Sequence, residues 1–219
     1  MSLISNRLLP QIKVGGIDFY VDVISGNLIE KADISNRIYV LDMLTLEDHH
    51  EFLFDRQKKN IVEGNGIAGA YEDHQEYVWI RRMEALDPEG MKVLQEMGMA
   101  PKLPENLPVV YIGDTAFYWL EEQSAFCQAD NHWNRIYKND ITVIEGEKGF
   151  YYDSILAQVP FPHELDAYKG DLPDHIYFKP VRPLFEIIKL LEKGTLKKRQ
   201  SITNDSSTRQ KKNKGRRMR

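Results

Sequence analysis

One fixed offset of 98 residues lays much of the first half of this chain over the second, and that self-similarity constrains the fold more than any other feature. Residues 9–55 align with 107–153 without a gap, and thirteen of the 47 pairs are identical, against roughly three expected from average residue usage. The identities include Pro10/Pro108, Gly15/Gly113, Phe19/Phe117, Tyr20/Tyr118, Phe52/Phe150 and Asp55/Asp153, and an unbroken Asn-Arg-Ile-Tyr run occurs at 36–39 and again at 134–137. Beyond that window the same offset sets Tyr77-Val-Trp-Ile-Arg81 against His175-Ile-Tyr-Phe-Lys179, apolar and basic classes in phase. A chain that repeats itself at this spacing is expected to fold as two similar units of ordinary domain size, residues 1–100 and 101–194, joined through the proline-rich stretch 101–108 and packed together as a pseudo-dimer.

Within each unit the period is mostly two. Ile12 and Val14 precede Gly15-Gly16, a hairpin signal, after which Ile17, Phe19, Val21 and Val23 alternate with polar or aromatic residues. That alternation predicts Phe19 in the core and Tyr20 on the other side. Further short strands are expected at Leu28-Ile29, 37–41 and 52–54. A helix follows in each unit: Asp87-Pro88 opens the first and Gly98 closes it, while Pro183 and Gly194 bracket the second. Leu184, Ile187, Ile188 and Leu191 stand at i, i+3, i+4 and i+7, one apolar face. Runs of short strands ending in one helix predict an antiparallel α+β fold.

Charge is strongly segregated. Residues 193–219 hold eleven Lys or Arg against one acid, a net of +10, which leaves −14 on residues 1–192. From 195 onward the chain has three strongly apolar residues and no aromatic one, too little to offset the entropy of ordering, and a disordered basic tail is expected over 195–219. Its cations Lys197, Lys198, Arg199, Arg209, Lys211, Lys212, Lys214, Arg216, Arg217 and Arg219 suit phosphate contacts, which bring DNA or RNA affinity without base specificity. An acidic protein would satisfy them as well, and a solubilising terminus remains the plainer alternative. No apolar run is long enough to span a bilayer and the start lacks a cleavable signal pattern, so a cytoplasmic protein without a membrane partner is expected. The single cysteine, Cys127, excludes an intramolecular disulfide and a Cys-rich zinc site, and on an alternating strand it reads as a buried, inert thiol.

Motifs with chemistry are weak. Gly64-Asn-Gly-Ile-Ala-Gly69 fits G-x-G-x-x-G, yet a strand-like segment follows within about ten residues, where a dinucleotide fold needs a crossover helix, so a loop is expected. Residues 47–51, Asp73-His74, His163-Glu164 and Asp166 offer acid/base or ligand chemistry, but their spacing matches no metal motif and the histidines do not repeat; exposed turn residues are expected. No metal and no cofactor is indicated. The polar feature that most needs an explanation is the repeated set Asn36, Arg37, Tyr39 and Asp42 with Asn134, Arg135, Tyr137 and Asp140. One account pairs each Arg with its Asp and uses Asn in a turn. Another makes Arg37 and Arg135 twin anion-binding positions, with Tyr20 and Tyr118 lining the same surface, and a third makes that surface the interface between units. The whole reads as a non-enzymatic binding or adaptor protein with nonspecific nucleic-acid affinity in its tail. The alternatives are a hydrolase-type enzyme with a His/Asp/Glu site between the units, and a purely structural subunit that oligomerises.

Overall fold

In a computed structural model that describes residues 7–62 and 72–193, the chain is mostly antiparallel strands with few helices. β1 (Gln11–Val14), β2 (Ile17–Asp22), β3 (Asn27–Glu30) and β4 (Arg37–Tyr39) form a meander in that order. In a second sheet, β5 (Leu44–Thr45) and β7 (Asn60–Ile61) pair with the two ends of β6 (His49–Asp55), and β8 (Gln75–Arg81) pairs with β6 along its length. Two helices follow, α1 (Met83–Leu86) and α2 (Pro88–Glu96). β9 (Val109–Ile112), β10 (Thr115–Leu120), β11 (Ala125–Gln128) and β12 (Arg135–Tyr137) then form another four-stranded meander. The last sheet joins β13 (Thr142–Ile144), β14 (Glu147–Asp153) and β15 (Ile176–Pro180), with α3 (Pro162–Ala167) inserted before β15 and α4 (Arg182–Glu192) after it. No helix among the described residues is long and apolar enough to cross a membrane.

β9 to β12 span the same bounds as β1 to β4 displaced by 98 residues, and their registers coincide: Gln11 lies opposite Tyr20, and Val109 opposite Tyr118. The cores match in detail. Phe19 meets Phe54 edge-on at 6.1 Å, and Phe117 meets Tyr152 edge-on at 6.2 Å, aromatic pairs that tie each meander to its facing sheet. Around them, Val14, Val21, Leu28, Ile38, Phe52 and Met83 close one core, and Ile112, Phe126, Ile136, Phe150, Leu184 and Ile188 the other. Phe19 is fully buried and Tyr20 only partly so, as the alternation predicts. Gly15 and Gly113 occupy the two hairpin turns at φ of 57° and 60°. A side chain at Gly15 would stand 2.5 Å from the Phe54 ring, so the turn needs glycine for space as well as for its left-handed backbone.

Two sequence expectations need correction. The offset of 98 does not extend to the last strands. Asp55 lies opposite Gln75, and Asp153 opposite Ile176, so β8 and β15 correspond at 101 residues. His74 thereby matches His175, each ring approaching the matching aspartate, at 3.4 Å from Asp55 and 4.0 Å from Asp153. Nor does each half end in a single helix: α1 and α2 close the first, whereas α3 and α4 flank β15 in the second. The early helix α3 starts at Pro162, whose ring fits the first turn, and the Glu164 carboxylate accepts the Phe161 amide at 2.6 Å.

Asp87 fastens the N-terminal half. It is fully buried, and its carboxylate accepts the Gly90 amide at the start of α2 and the Val23 amide beyond β2, each at 3.0 Å. Arg7 donates to it as well, and to Asp22 at 2.7 Å. Asp87→Ala removes the acceptor for three donors and leaves a partly buried Arg7 with one carboxylate; a loss of about 3–5 kcal/mol in urea denaturation is the expected outcome.

Candidate functional site

The repeated Asn-Arg-Ile-Tyr set resolves into a turn lock. The Asn36 amide donates to the Glu30 carboxylate and to the Lys59 carbonyl, both at 2.9 Å. Asn134 does the same with Gln128 and with the Ala157 carbonyl, both at 2.8 Å. Lys59 and Ala157 both sit at φ of 54°, in left-handed turns after β6 and β14, so each asparagine bridges from the meander's last turn to the strained turn of the facing sheet. Those turns are also held by Asp55 and Asp153, each accepting the amides two and three residues on.

The arginines do not pair with the aspartates. Arg37 donates to the Ile34 carbonyl at 3.4 Å and Arg135 to the His132 carbonyl at 3.2 Å, the same turn in each half, and Arg135 adds the Gln123 amide oxygen at 2.7 Å. Arg37 and Asp42 are exposed and Tyr39 is half-exposed, whereas Tyr137 donates its hydroxyl to the Glu47 carbonyl of the other half at 3.3 Å. Among the described residues no hydrogen bond joins one set to the other. The cations of 197–219 and the glycine run 64–69 lie outside the described residues. Asn36→Ala removes the donor to the Lys59 carbonyl and to one Glu30 oxygen and the acceptor for Asn60, Asn134→Ala the donor to the Ala157 carbonyl and to Gln128, and each is expected to lower stability by about 1–3 kcal/mol in thermal or urea melts.

Where the halves meet, residues that do not repeat converge. His49 on β6 is buried, held by Asp48 at 2.6 Å through Nδ1 and by Glu51 at 2.7 Å through Nε2, with Tyr77 on β8 donating to Glu51. Its ring stacks on Trp79 at 4.8 Å and meets Phe161 edge-on, and His163 stacks on Phe161 at 5.6 Å. Arg81 crosses the seam: it donates to the Val159 carbonyl and lays its guanidinium 3.9 Å from the centre of the Phe161 ring. His49 and His163 thus meet the same Trp79–Phe161 pair, while His74 lies beside Asp55 at the far end of β6. His49 and His50 are buried strand residues, not exposed turn residues. Among the described residues no group of three or more His, Cys, Asp or Glu is arranged to hold a metal ion. Sequence reasoning missed Trp79 and Phe161, whose only signal is that their positions do not repeat.

A groove runs along the same seam. Of three adjoining cavities of about 350, 370 and 490 Å³, the first two share Pro88 and Asn131 and the last two share Gln95 and Trp133. The widest is floored by Trp119, Trp133 and His132, with Glu121, Glu122 and Arg135 at its side and the 101–108 connector along one wall. Cys127 is fully buried nearby in β11, where burial pushes its thiol up to about 11, so it stays protonated and inert at neutral pH. No family model, curated protein or solved structure matches this chain.

Two titrating groups here oppose one another. Burial, with Asp48 and Glu47 nearby, pushes Asp140 up to about 6, against the Tyr137 amide it accepts at 2.7 Å and the Arg81 charge. Burial and the Arg82 charge push His50 down to about 4. His50 Nε2 accepts the Met83 amide at 3.2 Å, so Nδ1 carries the proton toward Thr45. Asp140 binds its proton more tightly folded than unfolded, so it favours folding as pH falls from about 6 toward 4. His50 binds its proton less tightly folded, so over nearly the same window it disfavours folding as pH falls. Asp140→Asn removes the first effect. The variant is expected to gain about 1–3 kcal/mol at pH 7 and then to lose about 2 kcal/mol between pH 7 and 5, where the wild type stays flatter; urea melts at the two pH values check this.

Proposed function

We propose that this chain is a binding or adaptor protein: a duplicated α+β body over 1–100 and 101–194 that recognises another macromolecule along its seam, with the basic residues 195–219 adding nonspecific nucleic-acid affinity. The observation that carries the reading is the groove, walled by both halves and floored by Trp119, Trp133 and His132. Indole rings beside carboxylates and a guanidinium suit a recognition surface, where aromatic edges supply apolar area and a few charges fix orientation. The strand bounds and core contacts that recur at 98 residues support the duplication. The charge split supports the tail's role, since eleven cations in 27 residues release counterions on meeting phosphate.

A hydrolase-type enzyme is the second reading, favoured by Asp140, a carboxyl with proton affinity near neutrality close to Arg81. The hydrogen bonds of the seam favour binding instead, because both His49 nitrogens are held by carboxylates and Arg81 is committed to Val159 and Phe161. The test is the binding of fluorescent DNA and RNA, duplex and single-stranded, to the full chain and to a 1–194 truncation. The expected result is affinity that falls about 10³-fold or more between 50 and 200 mM salt and disappears with the tail. Failure of the full chain to bind at the lower salt removes nucleic acid from the reading.

A further inference from the structure

The connector between the halves, Pro101-Lys-Leu-Pro-Glu-Asn-Leu-Pro108, runs along one wall of the widest cavity of the groove, and its first four residues belong to no strand or helix. Proline fixes φ near −65°, and in the extended polyproline helix, with three residues per turn, positions three apart share one edge. Pro101 and Pro104 have that spacing, and both line the cavity together with Trp119 and Trp133. Groove residues hold the segment at both ends. The Pro101 carbonyl accepts the side-chain amide of Gln95 at 2.8 Å, and the Pro108 carbonyl accepts the backbone amide of Trp119 at 3.0 Å. Aromatic-lined grooves bind proline-rich peptides in this way, because the peptide is ordered before it docks and the rings supply apolar area.

Space and charge are left beside the connector. The cavity of about 490 Å³ lies within the roughly 300–1,000 Å³ of ligand pockets. Of the charged groups that line it, Arg135 is already committed: it donates to the Gln123 amide oxygen at 2.7 Å, with its guanidinium 5.5 Å from the centre of the Trp133 ring. Glu121 and Glu122 are exposed at the side of the cavity and outnumber the single ammonium of Lys102. We propose, resting on the groove as a recognition surface, that its partner is a proline-rich segment carrying a basic residue, which lies beside the connector against Trp119 and Trp133 with its cation toward Glu121 and Glu122. The connector's own Pro-Lys-Leu-Pro run is the pattern for such a segment, prolines three apart with a lysine between them. An acidic segment is disfavoured by the two carboxylates, and the basic residues 195–219 take no part in the contact.

Fluorescence anisotropy of a labelled peptide of Pro-Lys-Leu-Pro repeats, titrated with the full chain, tests this, against a control peptide in which glycine replaces each proline. The expected result is saturable binding about tenfold or more tighter for the proline peptide, since the control keeps the lysines but must be ordered on binding. Trp133→Ala is expected to weaken binding about tenfold or more. Glu121→Gln with Glu122→Gln, at exposed positions on which folding does not depend, is expected to weaken it about 3–10-fold at low salt and to leave unchanged the binding of a peptide whose lysines are alanine. Equal binding of the proline and glycine peptides overturns the proposal, and so does proline-peptide binding that survives the double glutamate substitution. Binding of DNA and RNA is measured on the same samples. A proline peptide that fails to bind while nucleic acid binds overturns this inference alone; failure of both overturns the adaptor reading with it.

Discussion

The two halves are joined across the seam by a half-buried cation. Arg81 reaches out of the N-terminal sheet into the C-terminal half, where it finds a backbone carbonyl and the face of Phe161, and its Nε is buried without a hydrogen-bond partner. Burial lowers its pKa, with the charges of Glu164, Asp140 and Asp48 acting in the opposite direction. A charge in that position is costly unless its surroundings are fixed, because a carbonyl and a ring face stabilise it only at one distance and angle. The remainder of the seam supplies that fixing. Tyr137 and Asn131 anchor the strands and turns of the C-terminal half to carbonyls of the other, and Trp79, His49 and His163 pack the Phe161 ring from several sides. The raised proton affinity of Asp140 follows from the same arrangement, since the seam half-buries Asp140 and brings the Asp48 and Glu47 charges near it.

Much of the fold was legible because the repeated residues are the ones that shape turns and fill cores. Gly15 and Gly113, Phe19 and Phe117, Asn36 and Asn134, and Asp55 and Asp153 each perform one structural task twice. The register of the last strand was not legible. β8 has no clean inside/outside alternation, only Ile80 being buried, so matching Tyr77–Arg81 to His175–Lys179 by residue class placed the strand three residues out. The pairs that fix the true register, His74 with Asp55 and His175 with Asp153, are separated by 19 and 22 residues, and nothing in the spacing of either announces that the ring and the carboxylate meet.

The candidate site divides in the same way. Pairing Arg37 with Asp42, or Arg135 with Asp140, was the natural inference from complementary charges at short spacing, but the guanidinium groups turn back to carbonyls three residues earlier. Those carbonyls, like the ones that receive Asn36 and Asn134, belong to backbone and carry no mark in the sequence. Residues 47–51 and 163–164 could be named as chemically able, and His49 and His163 among them do meet one aromatic pair; that Trp79 and Phe161 would form it was hidden by their lack of counterparts.

That lack is itself informative. Core and turn positions of the two halves match at the fixed offset, whereas the aromatic centre of the seam does not. His49 corresponds to Glu147, Trp79 to Pro180, Trp133 to Ser35 and His132 to Ile34, and all four members with rings in one half lie on the seam or line its groove. The aromatic and charged residues that break the repeat mark where this fold departs from simply holding itself together.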